Sequence, residues 1–142
     1  MKRMITLSLA LMTAVSCCLT MASAVNAEVA RASVTLSGYF ATMKSGSRPG
    51  ELQISYQVNA NMSASSLGVS SIAIYKSDGT YITTITGTTG NGLIRNSSNA
   101  HRGTYSYTAS SGGSYYAKVT VFASTSSVSD SRTVTTTTVT AP

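Results

Sequence analysis

Charged residues, histidine and tryptophan are scarce in this chain of 142 residues. Charged side chains make up 10% of it, whereas an ordinary soluble domain contains roughly a quarter. One histidine and two cysteines are too few for a histidine–cysteine zinc site with the usual number of ligands. The four acidic residues are scattered, which disfavours both paired-carboxylate catalysis and a calcium site. We therefore expect no cofactor, no metal site and no enzymatic activity.

The N-terminus is typical of a secretory signal peptide. Lys2 and Arg3 precede an uncharged, largely apolar stretch from Met4 to Ala24, and Ala27 supplies the small residue before a cleavage point. The sequence predicts a leader over residues 1–27 and hence a secreted, extracellular protein. Cleavage after Ala24 and a retained membrane anchor are the alternatives.

The leader contains both cysteines, Cys17 and Cys18. The mature domain, residues 28–142, is therefore expected to fold without a disulfide, and it keeps no stable membrane span once the leader is removed. Lipidation of Cys17 is a second possibility. The pattern favours export from a bacterium, since small domains secreted by animal cells are usually rich in disulfides. Release, or non-covalent association with the cell surface, is expected.

The mature domain has the hydrophobic pattern of short β-strands. Leu52–Val58 alternates strictly, with its apolar residues on one buried face, and so does Tyr115–Ala123. Asp78-Gly79 between two β-rich runs predicts a hairpin with a type I′ turn. Further strands are predicted at Val34–Leu36, Ile72–Lys76, Tyr81–Ile85, Thr104–Tyr107 and Arg132–Thr140. About seven short strands and no amphipathic helix indicate an all-β, antiparallel β-sandwich.

One motif favours a particular kind of sandwich. Tyr115-Tyr116-Ala117 follows a Gly-rich turn and opens an alternating strand. It resembles the Tyr-Tyr-Cys run of immunoglobulin-like domains, with Ala117 in place of the cysteine. The resemblance is to disulfide-free immunoglobulin-like or fibronectin-like modules, and it implies that Tyr115 forms a tyrosine corner. The whole chain also resembles small exported single-domain proteins of Gram-positive bacteria, a resemblance that implies no mechanism.

The longest segment without a strand pattern runs from Gly87 to Gly103, and long loops often carry function. It contains Arg95, His101 and Arg102, which we take as the candidate binding residues for an anion or a partner surface. The alternative is an exposed loop with two surface arginines. His101 lacks a neighbouring carboxylate and a recognisable nucleophile motif, so no catalytic residue is assigned.

The chain is basic, with a net charge of +6 and an isoelectric point of about 9.6. The basic residues are spread along the sequence without a run, which argues against a nucleic-acid partner. They suit loose attraction to an anionic cell-envelope polymer or to another protein. Stacking on carbohydrate is disfavoured by the lack of tryptophan. Four of the eight tyrosines are predicted to pack in the core or across strands: Tyr56, Tyr105, Tyr107 and Tyr115.

The leading hypothesis is a non-enzymatic extracellular interaction or cell-surface binding module. A bacteriocin-like, membrane-active effector is one alternative, although no amphipathic helix supports it. A structural subunit that assembles through the Thr-rich strand 133–140 is another, because an exposed strand edge can pair with a second chain. A hydrolase using His101 is the least favoured.

Overall fold

The computed structural model describes residues 35–142, where every regular element is a β-strand. The predicted leader, its two cysteines and Val34 lie outside the described residues. The strands are β1 (Leu36–Ser45), β2 (Glu51–Lys76), β3 (Tyr81–Thr86), β4 (Ile94–Thr108), β5 (Ser114–Ser124), β6 (Ser129–Thr135) and β7 (Val139–Thr140). They form one antiparallel sheet, which confirms the all-β, antiparallel and seven-stranded prediction. Within these residues, no helix is long and apolar enough to cross a membrane.

β2 organises the sheet. It has 26 residues, and at roughly 3.3 Å per residue a straight strand of this length would span about 85 Å, far more than a small domain. It bends instead, and its neighbours change along its length. β1 and β4 pair with its first part, β4 as far as Gly68, whereas β5 pairs with it from Ser66 onward and β3 from Ser71 onward. β6 and β7 then pair with β5.

The sheet curls around one apolar core, so that it forms a half-barrel. β1 comes close to β5, β6 and β7, although no ladder joins it to them within residues 35–142. The Ser45 hydroxyl donates a 2.7 Å hydrogen bond to the Thr140 carbonyl and links β1 to the end of the chain. One face of each long strand is thereby removed from water, which is the main source of stability in a domain of this size.

The two strictly alternating strands face the core as predicted. Leu52, Ile54, Tyr56 and Val58 are buried in β2, and so is the whole inward row of β5 from Tyr115 to Ala123. Tyr105 and Tyr107 are partly buried against the same core, and both lie opposite inward residues of β2. The four tyrosines assigned to the core or to cross-strand packing therefore occupy those positions.

The Asp78-Gly79 hairpin is present, but the predicted type I′ turn is wrong. Only Gly79 has a positive φ, at 89°, whereas a type I′ turn needs positive φ at both central residues. The Gly79 N–H donates to the Lys76 carbonyl, and the Lys76 N–H donates to the Thr80 carbonyl. This is a three-residue loop in which a glycine in the left-handed region follows an ordinary turn, so Asp78 keeps a common conformation.

Three predicted boundaries are corrected by the structure. The predicted strands Leu52–Val58 and Ile72–Lys76 belong to the single strand β2. The predicted loop from Gly87 to Gly103 is strand from Ile94 onward, because β4 starts there and pairs with β2. The opening strand, predicted at Val34–Leu36, starts only at Leu36 and continues to Ser45.

The Thr-rich closing strand is interrupted. The sequence predicts one strand over Arg132–Thr140, but β6 ends at Thr135 and β7 begins at Val139. Thr136 lies between them with a buried side chain, and its hydroxyl accepts a hydrogen bond from the Ala117 N–H at 3.0 Å. The hydroxyl thus replaces part of the ladder to β5, so the strand breaks where a side chain turns inward.

Candidate functional site

A pocket of about 420 Å³ opens between β2 and β4. We call it the β2–β4 pocket; its lining residues are Gln57, Asn59, Arg95, Ala100, His101 and Arg102. The three candidate residues of the sequence, Arg95, His101 and Arg102, all line it. The structure therefore brings the candidates together on a strand rather than on the predicted loop, and their role in binding stays a prediction.

Strand register explains how the lining residues meet. Gln57 lies opposite Arg102 and Asn59 lies opposite Ala100, so these four occupy one stretch of the β2–β4 ladder. The ladder then slips, because Asn59 pairs with Ala100 whereas Ala64 pairs with Ser98. β2 therefore has several more residues than β4 in this stretch, and the extra residues of β2 bulge out of the ladder.

The slip brings Arg95 to the pocket from beyond the irregular stretch. Ser97 lies between Arg95 and Ala100 and has a φ of 51°. Within residues 35–142 it is the one non-glycine residue with a positive φ. Such a conformation is uncommon for a residue with a side chain, and its presence here follows from the local mismatch between the two strands.

The ring of His101 is held by a backbone oxygen. Its Nε2 lies 2.8 Å from the Gly92 carbonyl oxygen, and the Tyr56 hydroxyl donates to that same oxygen at 2.8 Å. A carbonyl can only accept, so Nε2 carries a hydrogen and donates. In the neutral ring Nδ1 is then the acceptor nitrogen, and it is the one left for a ligand.

Tyr56 supports this arrangement from the core side. Its hydroxyl lies 3.2 Å from His101 Nε2, and the two ring centroids are 5.4 Å apart. Burial raises the pKa of the Tyr56 hydroxyl, so that it stays a neutral donor. The Tyr56 ring also covers Gly103, which faces it across the ladder. A Cβ at Gly103 would lie 2.5 Å from the tyrosine oxygen, so only glycine fits beneath the ring.

The Gly92 carbonyl is itself positioned by a braced turn. The Asn91 side chain accepts from the N–H of Thr88 at 2.9 Å and donates to the Thr86 carbonyl at 2.8 Å. Leu93, next to Gly92, is buried in the core. The short connection between β3 and β4 is therefore tied at both sides of Gly92, and this fixes the acceptor that orients His101.

The electrostatic character of the pocket is positive. Its lining carries two guanidinium groups, two amide side chains and no carboxylate. In the part of the chain that the structure describes, the one ion pair is between Arg132 and Asp130 on β6, so Arg95 and Arg102 are not neutralised by a carboxylate there. Guanidinium groups and amides donate hydrogen bonds to oxyanions, and arginine does so in a bidentate manner. The arrangement is suited to holding a negatively charged group.

Sequence reasoning missed Tyr56 as a support, and it missed Gln57 and Asn59 as lining residues. The alternation of the predicted strand Leu52–Val58 does place Gln57 on its outer face, whereas Asn59 lies beyond that strand. Their partners on β4 are not evident from the sequence, because the segment from Gly87 to Gly103 has no strand pattern. Within residues 35–142, no cluster of three or more histidine, cysteine or acidic residues could hold a metal ion.

Comparison of the chain with protein-family models, with curated proteins and with solved structures finds no match.

Proposed function

We propose that this chain is an exported, non-enzymatic binding module whose β2–β4 pocket holds anionic groups of a cell-envelope polymer. The observation that carries the proposal is the composition of the pocket: Arg95 and Arg102 with two amides, and no carboxylate among the lining residues. A repeating anionic polymer presents many copies of the group that such a pocket accepts.

Binding rather than catalysis is supported by the state of His101. A general base needs an orienting group and a substrate proton within reach. The Gly92 carbonyl orients the His101 ring, but the pocket lining offers neither a carboxylate to stabilise an imidazolium nor an activated nucleophile. The residues around the ring therefore favour a fixed hydrogen-bonding surface.

The finer fold assignment belongs to the same proposal. We take the half-barrel as an immunoglobulin-like or fibronectin-like sandwich that has lost its disulfide. Its support is Tyr115, which is 3% exposed and whose hydroxyl donates to the Ser110 carbonyl, five residues upstream, at 3.3 Å. A backward hydrogen bond of this kind is the hallmark of the tyrosine corner. An exported module of this kind uses its strands as a rigid support for a surface site.

Retention on bacterial envelope fractions tests the function. We expect the exported protein to be retained at low salt, to be released at high salt, and to be displaced by soluble polyphosphate, since the attraction is largely electrostatic. The double substitution Arg95→Gln/Arg102→Gln should weaken retention by at least about tenfold, because hydrogen bonds to charged groups contribute about 1.5–3 kcal/mol each.

A matched variant separates the pocket from general charge. Lys44→Gln/Arg48→Gln removes the same charge from exposed positions on β1 and the turn after it, away from the pocket lining. This control should keep most of its retention. Equal loss in both variants would show non-specific attraction, and absence of retention at either salt concentration would refute the proposal. Mass spectrometry of the exported protein checks the predicted N-terminus at Glu28.

A further inference from the structure

Three tyrosines on neighbouring strands form a row across the outer face of the sheet. We call Tyr75, Tyr81 and Tyr116 the tyrosine row; they lie on β2, β3 and β5. Tyr75 is the ladder partner of both of the others. Alternation places the row on the face opposite the core, since Ile74 and Ala117, next to two of its members, are buried.

The rings are fixed by contacts with one another. Tyr75 and Tyr116 are stacked, with centroids 5.2 Å apart and an angle of 10° between the planes. Tyr81 meets Tyr75 edge-on at 5.7 Å, and its hydroxyl donates to the Thr84 hydroxyl at 3.1 Å. Tyr81 is nevertheless 56% exposed. The row is thus preformed and needs little ordering when something binds, and Tyr81 is its exposed ring because Tyr75 is already covered by Tyr116 and Lys118.

The surroundings of the row are rich in hydroxyl groups and poor in charge. Lys118 lies 5.2 Å from the centre of the Tyr75 ring, in a cation–π contact. Two further rows of outward side chains follow the tyrosine row along the same face, paired through the ladders of β2, β3, β5 and β6, and Lys118 is the charged residue in them. The other residues of these two rows are small or carry a hydroxyl group: Thr84, Ala73, Thr135, Thr86, Ser71, Thr120 and Thr133. The aliphatic side chains on this outer face beside the row are Ala73 and Ile82, which is 36% exposed, so hydroxyl groups outnumber the aliphatic anchors that protein interfaces need at their centre.

We infer that the tyrosine row is a second binding surface, and that it takes a neutral polysaccharide chain. The C–H groups of a sugar carry a partial positive charge and pack on the negative face of an aromatic ring. Sugar hydroxyls exchange hydrogen bonds with tyrosine and threonine hydroxyls and accept from Lys118. A surface with one cation and many hydroxyls matches an uncharged, hydroxyl-rich polymer better than it matches a polyanion or a hydrophobic protein surface.

This surface is independent of the β2–β4 pocket. None of its tyrosines lines that pocket, and its attraction rests on aromatic contact rather than on charge. Binding to a neutral polysaccharide should therefore survive high salt, whereas anion binding in the pocket should not. The two proposals can fail separately.

Co-sedimentation with insoluble cellulose, chitin and β-1,3-glucan tests the inference. We expect the protein to be retained by at least one of these polymers at both low and high salt. Tyr81→Ala should reduce the affinity by about tenfold, in line with the loss of one aromatic contact of about 1.4 kcal/mol. Tyr81→Phe, which keeps the ring and removes only its hydroxyl, should retain most of the binding.

Two controls make the outcome unambiguous. Tyr39→Ala removes another exposed tyrosine outside the row and should leave retention unchanged, as should the pocket variant Arg95→Gln/Arg102→Gln. Thermal unfolding of each variant confirms that it is folded. Absence of retention on all three polymers, or full retention of Tyr81→Ala, would overturn the inference. Concentration-dependent dimerisation that Tyr81→Ala abolishes would do so too, by identifying a second copy of the chain as the occupant.

Discussion

The Gly92 carbonyl oxygen accepts hydrogen bonds from two side chains, and this makes one backbone atom the reference point of the pocket. Tyr56 reaches it from the core, whereas His101 reaches it from the pocket lining. A shift of the Tyr56 ring would therefore disturb the hydrogen bonds that orient the His101 ring. The residue that leaves room for this ring is Gly103.

Gly103→Ala is expected to disturb this arrangement. The added Cβ would lie 2.5 Å from the Tyr56 oxygen and 2.9 Å from the ring carbon that bears it, so the ring must move. Overpacking of this kind costs about 1–3 kcal/mol. Urea unfolding should show that loss, and anion binding should weaken because Gly103 is next to Arg102 on β4, so a displaced strand moves the guanidinium group.

The double variant Tyr56→Leu/Gly103→Ala shows whether the clash is the cause. Leucine lacks the atoms that the new Cβ would meet, so adding Gly103→Ala to Tyr56→Leu should cost clearly less than adding it to the natural sequence. Equal costs in both backgrounds would place the effect of Gly103→Ala in the strand backbone instead.

At the scale of the strand, predictability depends on where the apolar residues fall. β5 and the first half of β2 could be predicted because a buried residue stands at every second position. The first part of β4, from Ile94 to Ala100, has polar residues on both faces and no period to detect. It becomes strand because β2 offers it a ladder, which is a long-range effect that local sequence does not contain.

The candidate site follows the same rule. Arg95, His101 and Arg102 could be proposed because they stand out chemically in a segment without pattern. That they share a pocket with Gln57 and Asn59 depends on the register between β2 and β4, which changes at the bulge. Register is set by packing and by turn geometry across the whole sheet, so it could not be obtained from either segment alone.

The turn between β1 and β2 gives an element-scale prediction about pH. The Glu51 carboxylate accepts hydrogen bonds from the backbone N–H groups of Ser47 and Arg48 at 3.1 and 3.2 Å. These bonds, that of Arg48 first, hold the pKa of Glu51 below its usual 4.5. The stabilisation is complete above the unfolded-state pKa, and it is lost as the pH falls through the folded-state pKa, because the unfolded chain then binds more protons.

Glu51→Gln should therefore destabilise the protein at neutral pH and make little difference in acid. Melting temperatures of both proteins across the acidic range should converge as the pH falls. Asp78, whose pKa is also lowered through its bonds with Thr80, titrates in the same direction and is unaffected by the substitution. Asp78→Asn is thus the control that separates the contribution of Asp78 to the acid dependence from that of Glu51. A difference in melting temperature between Glu51→Gln and the natural protein that stays constant at every pH would contradict the role given to Glu51.

At the scale of the whole molecule, the described domain is closed by its last residues. The Gly50 N–H and the Ser111 hydroxyl both donate to the Pro142 carbonyl, at 2.6 and 2.5 Å. Ala141 exchanges backbone hydrogen bonds with the turn before β5: it donates to Gly113, and its carbonyl accepts from Gly112. One short segment thus ties the β1–β2 turn to the β4–β5 turn.

This closure matters because residues 35–142 contain no cysteine and therefore hold together without a disulfide. β1 has its ladder only with β2, so its other edge depends on the segment around Thr140 and Ala141 to stay against the rest of the sheet. Ala141 packs in the hydrophobic core and is only 1% exposed, so no solvent separates this segment from the core.

Ala141→Asp should therefore destabilise the whole domain, whereas Thr138→Asp, at an exposed position three residues earlier, should not. A carboxylate buried without a partner costs several kcal/mol, or it takes up a proton and leaves an unsatisfied polar group. We expect a loss of at least about 2 kcal/mol in urea unfolding for Ala141→Asp and within about 0.5 kcal/mol for Thr138→Asp. If both variants unfold like the natural protein, the chain end is not what closes the half-barrel. Loss in Ala141→Asp alone would show that the docked terminal segment stabilises the domain, on the edge of β1 that its ladder to β2 leaves unpaired.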